Sequence, residues 1–182
     1  MTELTTQRLL IRQWKADDYE PFAAMNADPA VMEHFPALLS RVDSDRTIDR
    51  LRSSIDQRGF GFWAVEIRET GRFIGFTGLS VPSLDAPFRP GVEIGWRLAK
   101  EAWGNGYATE AARASLAYAF GPAGLDDVMS FTTTTNRPSQ RVMERIGMTH
   151  DEADDFDDPR LPSGHPLQRH VLYRITRAQW QA

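Results

Sequence analysis

Between positions 92 and 120 the hydrophobic period of the chain changes from that of a strand to that of a helix, and two glycines mark the change. Val92, Ile94, Trp96 and Leu98 alternate with Glu93, Gly95 and Arg97, as in a strand with one apolar face. Ala108, Ala111, Ala112, Ser115, Leu116 and Ala119 then recur at helical spacing, and their small side chains let that helix lie close on a sheet. The link is Trp103-Gly104-Asn105-Gly106-Tyr107-Ala108, with the helix starting near Tyr107. The first N–H groups of a helix lack intrahelical partners, and its macrodipole favours an anion in front of them. Glycine allows that anion to approach the main chain without a Cβ in the way. An ordinary tight turn would use the same Gly-x-Gly, so the turn alone does not decide.

Two better-known phosphate motifs fit poorly. No Gly-Lys-Ser/Thr ends the segment, as a Walker loop requires. A dinucleotide fingerprint would need glycine where Thr109 stands, after a parallel sheet.

The rest of the chain reads as mixed α/β. Residues 8–14 form a first strand, and Asp17 or Asp18 is a plausible cap for the helix that Asp28-Pro29 breaks. Asp43 or Ser44 starts a second helix carrying Ile48, Leu51 and Ile55 on one face. Trp63, Val65 and Ile67 mark a strand that turns through Glu69-Thr70-Gly71-Arg72 into residues 73–79. Residues 83–90 read as a proline-rich loop. Residues 128–135 are rich in β-branched side chains and form a central strand, after which Pro138 fits the first turn of a helix ending at Gly147. Met148 and residues 171–175 suggest two closing strands joined by a long acidic loop. No repeat or linker divides residues 1–182, so one domain is expected.

Composition narrows the functions. The chain has 182 residues, no cysteine and a net charge of −4, which leaves no acyl-cysteine intermediate, no disulfide and no global basic field for nucleic acid. No apolar run approaches a membrane span, residues 1–7 lack a signal peptide's features, and a cytoplasmic location is the default expectation. The four histidines are scattered without ligand spacing, so no metal site is expected. Residues 151–158 hold six carboxylates in eight positions, which suits either a solvated loop or a collar for a cationic amine.

The chain resembles the GNAT acetyltransferases, in particular their RimJ/RimL-like branch. Residues 103–108 match the family's Gln/Arg-x-x-Gly-x-Gly/Ala motif except at the first position, where Trp103 is usual for this branch; Thr109-Glu110-Ala111 continues the likeness. Further matches are Thr6-Gln7-Arg8-Leu9, Asn136-Arg137-Pro138-Ser139 and Arg145-Ile146-Gly147-Met148, so the resemblance spans nearly the whole length. It implies a largely antiparallel sheet of about seven strands flanked by about four helices, with splayed central strands forming an acetyl-CoA cleft. It implies direct transfer of acetyl to a primary amine, either a protein N-terminus or a small molecule, with no metal, nucleic acid or membrane involved. A homodimer is one option for the oligomeric state.

The same resemblance distributes roles. The strand at Ile94, Trp96 and Leu98 lines the pantetheine arm, together with Asn136, Ser139 and Met143. Backbone groups of Trp103, Gly104, Asn105, Gly106, Tyr107, Ala108 and Thr109 hold the pyrophosphate. Glu93 matches a glutamate that serves as base in several members, and it lies off the apolar row of its strand. Water or an acidic-loop carboxylate are the alternatives, and an ordinary solvent-facing glutamate is the bland reading. Met143 replaces the tyrosine many members place seven residues after the asparagine, and Met cannot donate a proton. Ser139 matches the serine the RimL branch sets near the thiolate, although a first-turn serine also bonds its own helix. Asn136 equally suits a strand end entering a turn. His34 and Phe35 belong to the early helices that wall the acceptor pocket in this family. A non-catalytic CoA-binding sensor and a nucleotide-binding module are the rival functions.

Overall fold

The computed structural model describes residues 2–83 and 91–181. The expected loop at 83–90 lies almost entirely outside these residues. In chain order the elements are β1 (Leu4–Thr5), β2 (Leu9–Arg12), α1 (Tyr19–Ala27), α2 (Arg41–Arg58), β3 (Phe62–Ile67), β4 (Arg72–Ser80) and β5 (Glu93–Leu98). They continue as α3 (Tyr107–Phe120), β6 (Asp127–Thr133), α4 (Arg137–Arg145), β7 (Thr149–His150), β8 (Phe156–Asp157), β9 (Arg169–Thr176) and α5 (Arg177–Gln181). The sheet runs β1-β2-β3-β4-β5-β6-β9-β7, with β8 also on β9.

Every ladder is antiparallel except β5 with β6. β4 and β5 pair along their length, from Ser80 opposite Glu93 to Gly75 opposite Leu98. β6 and β9 likewise pair from Asp127 opposite Thr176 to Thr133 opposite His170. Between these two halves the register holds at one position, Glu93 opposite Met129, where Met129 N–H donates to Val92 O at 3.0 Å. Beyond that position the strands diverge. This is the α/β architecture the sequence led us to expect, an open, mostly antiparallel sheet with splayed central strands.

Helix α3 covers one face. Its Ala111, Ala112, Leu116 and Ala119 are fully buried and share a core with Leu79, Ile94, Val128 and Met143, or with Trp63 and Leu98 nearer β4. Small residues make that close approach sterically available. The other face carries α1, where Phe22 meets Trp14 and Phe76 edge-on at ring separations of 5.0 and 6.1 Å. α2 packs against α1, with Ile48 and Ile55 buried.

Several boundaries differ from expectation. α2 starts at Arg41 rather than at Asp43 or Ser44, because Ser40 Oγ accepts the Asp43 N–H at 3.1 Å and caps the helix. Ser44 is instead fully buried, its Oγ accepting from Asn26 Nδ2 at 3.1 Å. Asp18 does not cap α1 with its side chain. Its carboxylate receives Arg12 Nη1 at 2.7 Å and Nη2 at 2.9 Å, while Arg12 Nε donates to Glu66 at 2.7 Å. A buried guanidinium is stable when its charge is met in this way. Among the described residues the sheet has nine strands and five α-helices flank it, more than the seven and four expected. β1, β7 and β8 span two residues each, too short to leave an alternating pattern in the sequence.

Candidate active site

The divergence of β5 from β6 is the first element of the site. Past the Glu93–Met129 contact, the edge of β5 that faces β6 has no strand partner, so main-chain groups are available to an amide-bearing chain laid between them. Ile94 and Leu98 send their side chains into the core, which leaves their backbone to face a ligand; Trp96 is half-buried.

The phosphate turn follows from β5. Trp103 Nε1–H donates to Leu98 O at 2.9 Å, tying the turn back to the strand end. Gly104 and Gly106 both occupy the left-handed region, at φ 76° and 77°, which side chains other than glycine rarely adopt. Asn105 Nδ2 donates to Ala102 O and Trp103 O at 3.3 and 3.0 Å, so its amide closes the turn from within. Gly106 is the N-cap of α3 and supplies no side-chain cap. The first N–H groups of α3, from Tyr107 to Thr109, therefore have no intrahelical partner. An open groove of about 490 Å³ lies there, lined by Thr6, Gln7, Gly106, Thr109, Arg113 and Arg145 among others. Free N–H groups, absent Cβ atoms and two arginines suit the phosphates of coenzyme A.

One feature of the turn had no role in the sequence reading. Glu110, in the first turn of α3, accepts Thr6 Oγ1–H at 2.6 Å, Arg8 N–H at 3.0 Å and Arg8 Nε–H at 2.6 Å. Arg8 Nη1 donates to Asn105 O at 2.9 Å, and its guanidinium lies 4.7 Å from the Tyr107 ring centroid. These bonds hold the Glu110 carboxyl below the usual carboxylate range against the burial that raises it. The first strand pair is thus latched to the turn, with a guanidinium beside Gly106. The signal in the sequence was present, since Thr6, Arg8 and Glu110 all lie in matched segments, but nothing local connects positions 102 apart.

Glu93 stands at the apex of the gap. Burial pushes its carboxyl up to about 8, and the charge of Arg160 pulls the other way. Gly95 leaves space beside it: a Cβ there would meet the Phe62 ring at 3.0 Å and Glu93 Oε1 at 3.7 Å. Arg97, on the same strand face, donates through Nη1 to Asn26 Oδ1 at 2.7 Å and lies 3.9 Å from the Phe35 ring centroid. His34 Nδ1 lies 3.4 Å from Thr135 Oγ1, so the segment after α1 reaches from β5 across to the end of β6. Phe62 thus belongs to this opening, while Trp63 is core.

Asn136 is the N-cap of α4, its Oδ1 accepting Ser139 N–H at 3.2 Å and its Nδ2 donating to Thr132 Oγ1 at 2.9 Å. Ser139 is half-buried, and its Oγ makes no hydrogen bond among the described residues. Met143 is buried in the core with Ile94. Three of the loop's six carboxylates pair with arginines, Asp154 with Arg174 at 2.9 Å, Asp157 with Arg169 at 3.4 Å and Asp158 with Arg160 at 2.6 Å, and Asp155 lies 2.7 Å from His150 Nε2. A second cavity of about 440 Å³ beside β9 is lined by Arg137, His150, Asp155 and Arg169 among others. It includes none of the residues expected to hold CoA, but Glu152 and Asp155 of the acidic loop line it.

Splayed strands ending in an anion-ready helix start, with a desolvated carboxyl at their apex, define an acyl-transfer fold. Residues 8–149 match the acetyltransferase (GNAT) domain, and the chain belongs to the GNAT acetyltransferase family. It is 41% identical over 128 residues to the FsC-acetyl coenzyme A-N(2)-transacetylase of Aspergillus fumigatus, covering 67% of this chain and 52% of that protein. It is 26% identical over 178 residues to the N-acetyltransferase YnaD of Bacillus subtilis, covering 97% of this chain and 98% of that one. A crystal structure of a GNAT-family acetyltransferase from Bacillus anthracis superimposes with a TM-score of 0.80 at 25% identity, over 97% of this chain and 99% of that one. The protein is an N-acetyltransferase of the family that uses acetyl-CoA. No helix among the described residues is long and apolar enough to cross a membrane.

Proposed function

We infer that the protein moves the acetyl group of acetyl-CoA directly to a primary amine while both are bound. The observation that carries this reading is the position of Glu93 at the apex of a gap whose far end meets the glycine turn, where burial pushes its carboxyl up to about 8. A carboxylate so raised is a better proton acceptor than an exposed one and operates near neutral pH. Residues 103–109 hold the pyrophosphate, and the unpaired edge of β5 takes the pantetheine amides.

In the reaction Glu93 takes a proton from the acceptor ammonium, and the freed nitrogen lone pair attacks the thioester carbonyl. A backbone N–H of β5 stabilises the oxyanion. As the C–S bond breaks, the second proton of the attacking nitrogen passes through solvent to the departing sulfur, leaving the amide and free CoA. Ser139 Oγ, whose hydroxyl has no other partner among the described residues, donates a hydrogen bond to that sulfur. With no cysteine to carry an acyl group, the transfer is direct. The acceptor is a protein N-terminus or a small-molecule amine; the name of the Aspergillus relative, which sets its transfer at an N(2) position, favours the small molecule.

Initial rates of CoA release, measured while both substrates are varied, test the order of events. Intersecting reciprocal plots are expected. Parallel plots, or an acetylated enzyme isolated without acceptor, would overturn direct transfer. Glu93→Gln and Ser139→Ala test the roles, and unchanged kcat in both would remove them.

A further inference from the structure

Among the described residues two strand arginines turn inward, Arg12 buried and Arg97 half-buried, and they are treated differently. Arg12 is met by two carboxylates, Asp18 and Glu66. Arg97 is met by none among the described residues. Its one hydrogen bond goes from Nη1 to the neutral Asn26 Oδ1 at 2.7 Å, its Nε is buried without a partner, and Nη2 bonds no described residue. Aromatic faces surround the remainder, Phe35 at 3.9 Å and Phe76 at 5.4 Å. Rings of this kind orient a guanidinium but do not replace a counter-ion. A buried charge is ordinarily paired, and an unpaired one is costly to keep.

The location gives that charge a use. Arg97 projects from the same face of β5 as Glu93, four residues along, which places the two strand positions about 13 Å apart. Between them Gly95 and the Phe62 ring form the floor of the opening. The other cation near Glu93 is Arg160, already neutralised by Asp158 at 2.6 Å. Of the six carboxylates at 151–158, Asp154, Asp157 and Asp158 are bound to arginines and Asp155 to His150, which leaves less charge there for a cationic acceptor than the sequence suggests.

We propose that Arg97 binds a carboxylate of the acetyl acceptor, so that the substrate class is an amine bearing an anionic group and not a polyamine. The inference rests on the acetyl-transfer reading above and specifies its acceptor. Burial alone lowers the Arg97 pKa, to about 10, which leaves the group charged at neutral pH and in want of an anion. Asn26 and Phe35 are positioning residues: they fix the plane of the guanidinium and leave Nη2 as the nitrogen open to a ligand, Nε being buried.

The test compares amines that differ by one carboxylate, lysine against cadaverine and glycylglycine against its amide, by CoA release and by thermal stabilisation in the presence of CoA. The wild type is expected to favour the carboxylated member at least tenfold in kcat/KM, through KM, an effect on the order of one charge-assisted hydrogen-bond pair. Arg97→Gln abolishes the preference, and Arg97→Lys retains part of it. Asn26→Asp, which gives the guanidinium an internal carboxylate, abolishes it without removing the cation. Equal use of both members by the wild type, or a preference that survives Arg97→Gln and Asn26→Asp, overturns the proposal. If no amine turns over while acetyl-CoA binds, the acetyl-transfer reading fails. The carboxylate site is then decided by binding alone, where stabilisation of the wild type but not Arg97→Gln by the acids supports it and equal stabilisation overturns it.

Discussion

A carboxyl that titrates near 8 affects both rate and stability. As the proposed base, Glu93 must be ionised to accept a proton, so kcat/KM is expected to rise with pH and level off above about 8. Glu93→Gln should lower kcat by about a hundredfold, within the range of a general base, and flatten that limb. For stability the sign is opposite. The folded protein keeps this proton up to about 8, whereas the unfolded chain releases it near 4.5. Between those values the folded state binds more protons, and stability falls as pH rises through the window. Calorimetry at pH 5 and pH 9 should therefore find Glu93→Gln gaining heat stability over wild type at the higher pH only. An equal difference at both would show that the carboxyl is not desolvated. Glu93 itself was legible through the family resemblance, with strand alternation placing it off the apolar row. Its environment was not, since Phe62 and Arg160 come from other parts of the chain, and neither was the solitude of Arg97, because a missing partner leaves no trace in a pattern.

At the scale of elements, β5, the glycine turn and α3 were legible because each signal is local: a period, a φ requirement, a run of small residues. The latch of β1 and β2 onto α3 was not. A glutamate in the first turn of α3 repels an incoming phosphate, and Arg8 both cancels that charge and sets a cation beside Gly106. Arg8→Ala should raise the KM for acetyl-CoA several-fold, with kcat little changed, and leave the KM for a short acetyl thioester lacking phosphates as it was. Equal losses on both donors would show a role confined to folding. The capping of α2 shows another limit of local reading. Ser40, Asp43 and Ser44 are all competent caps, and tertiary contact with Asn26 takes Ser44 out of contention.

For the whole molecule, the two halves of the sheet are each fully laddered and meet at one residue pair. Amides of β4 and β9 should exchange slowly with or without ligand. Residues 94–98 and 130–133 should gain protection together when CoA binds, as measured by hydrogen exchange; protection elsewhere alone would put the ligand outside the gap. The overall order of elements was legible from the sequence, but the divergence was legible through the family resemblance alone, because β-branched residues suit a paired and an unpaired strand alike.

The Glu93–Met129 joint also limits how this protein can be made tougher. Zipping β5 to β6 by further hydrogen bonds is the obvious route to a more heat-resistant sheet, yet it would fill the slot the substrate arm needs. Variants selected for thermal endurance should therefore gather their changes in the outer ladders and beneath α3. The central seam stays open as a standing trade of robustness for turnover.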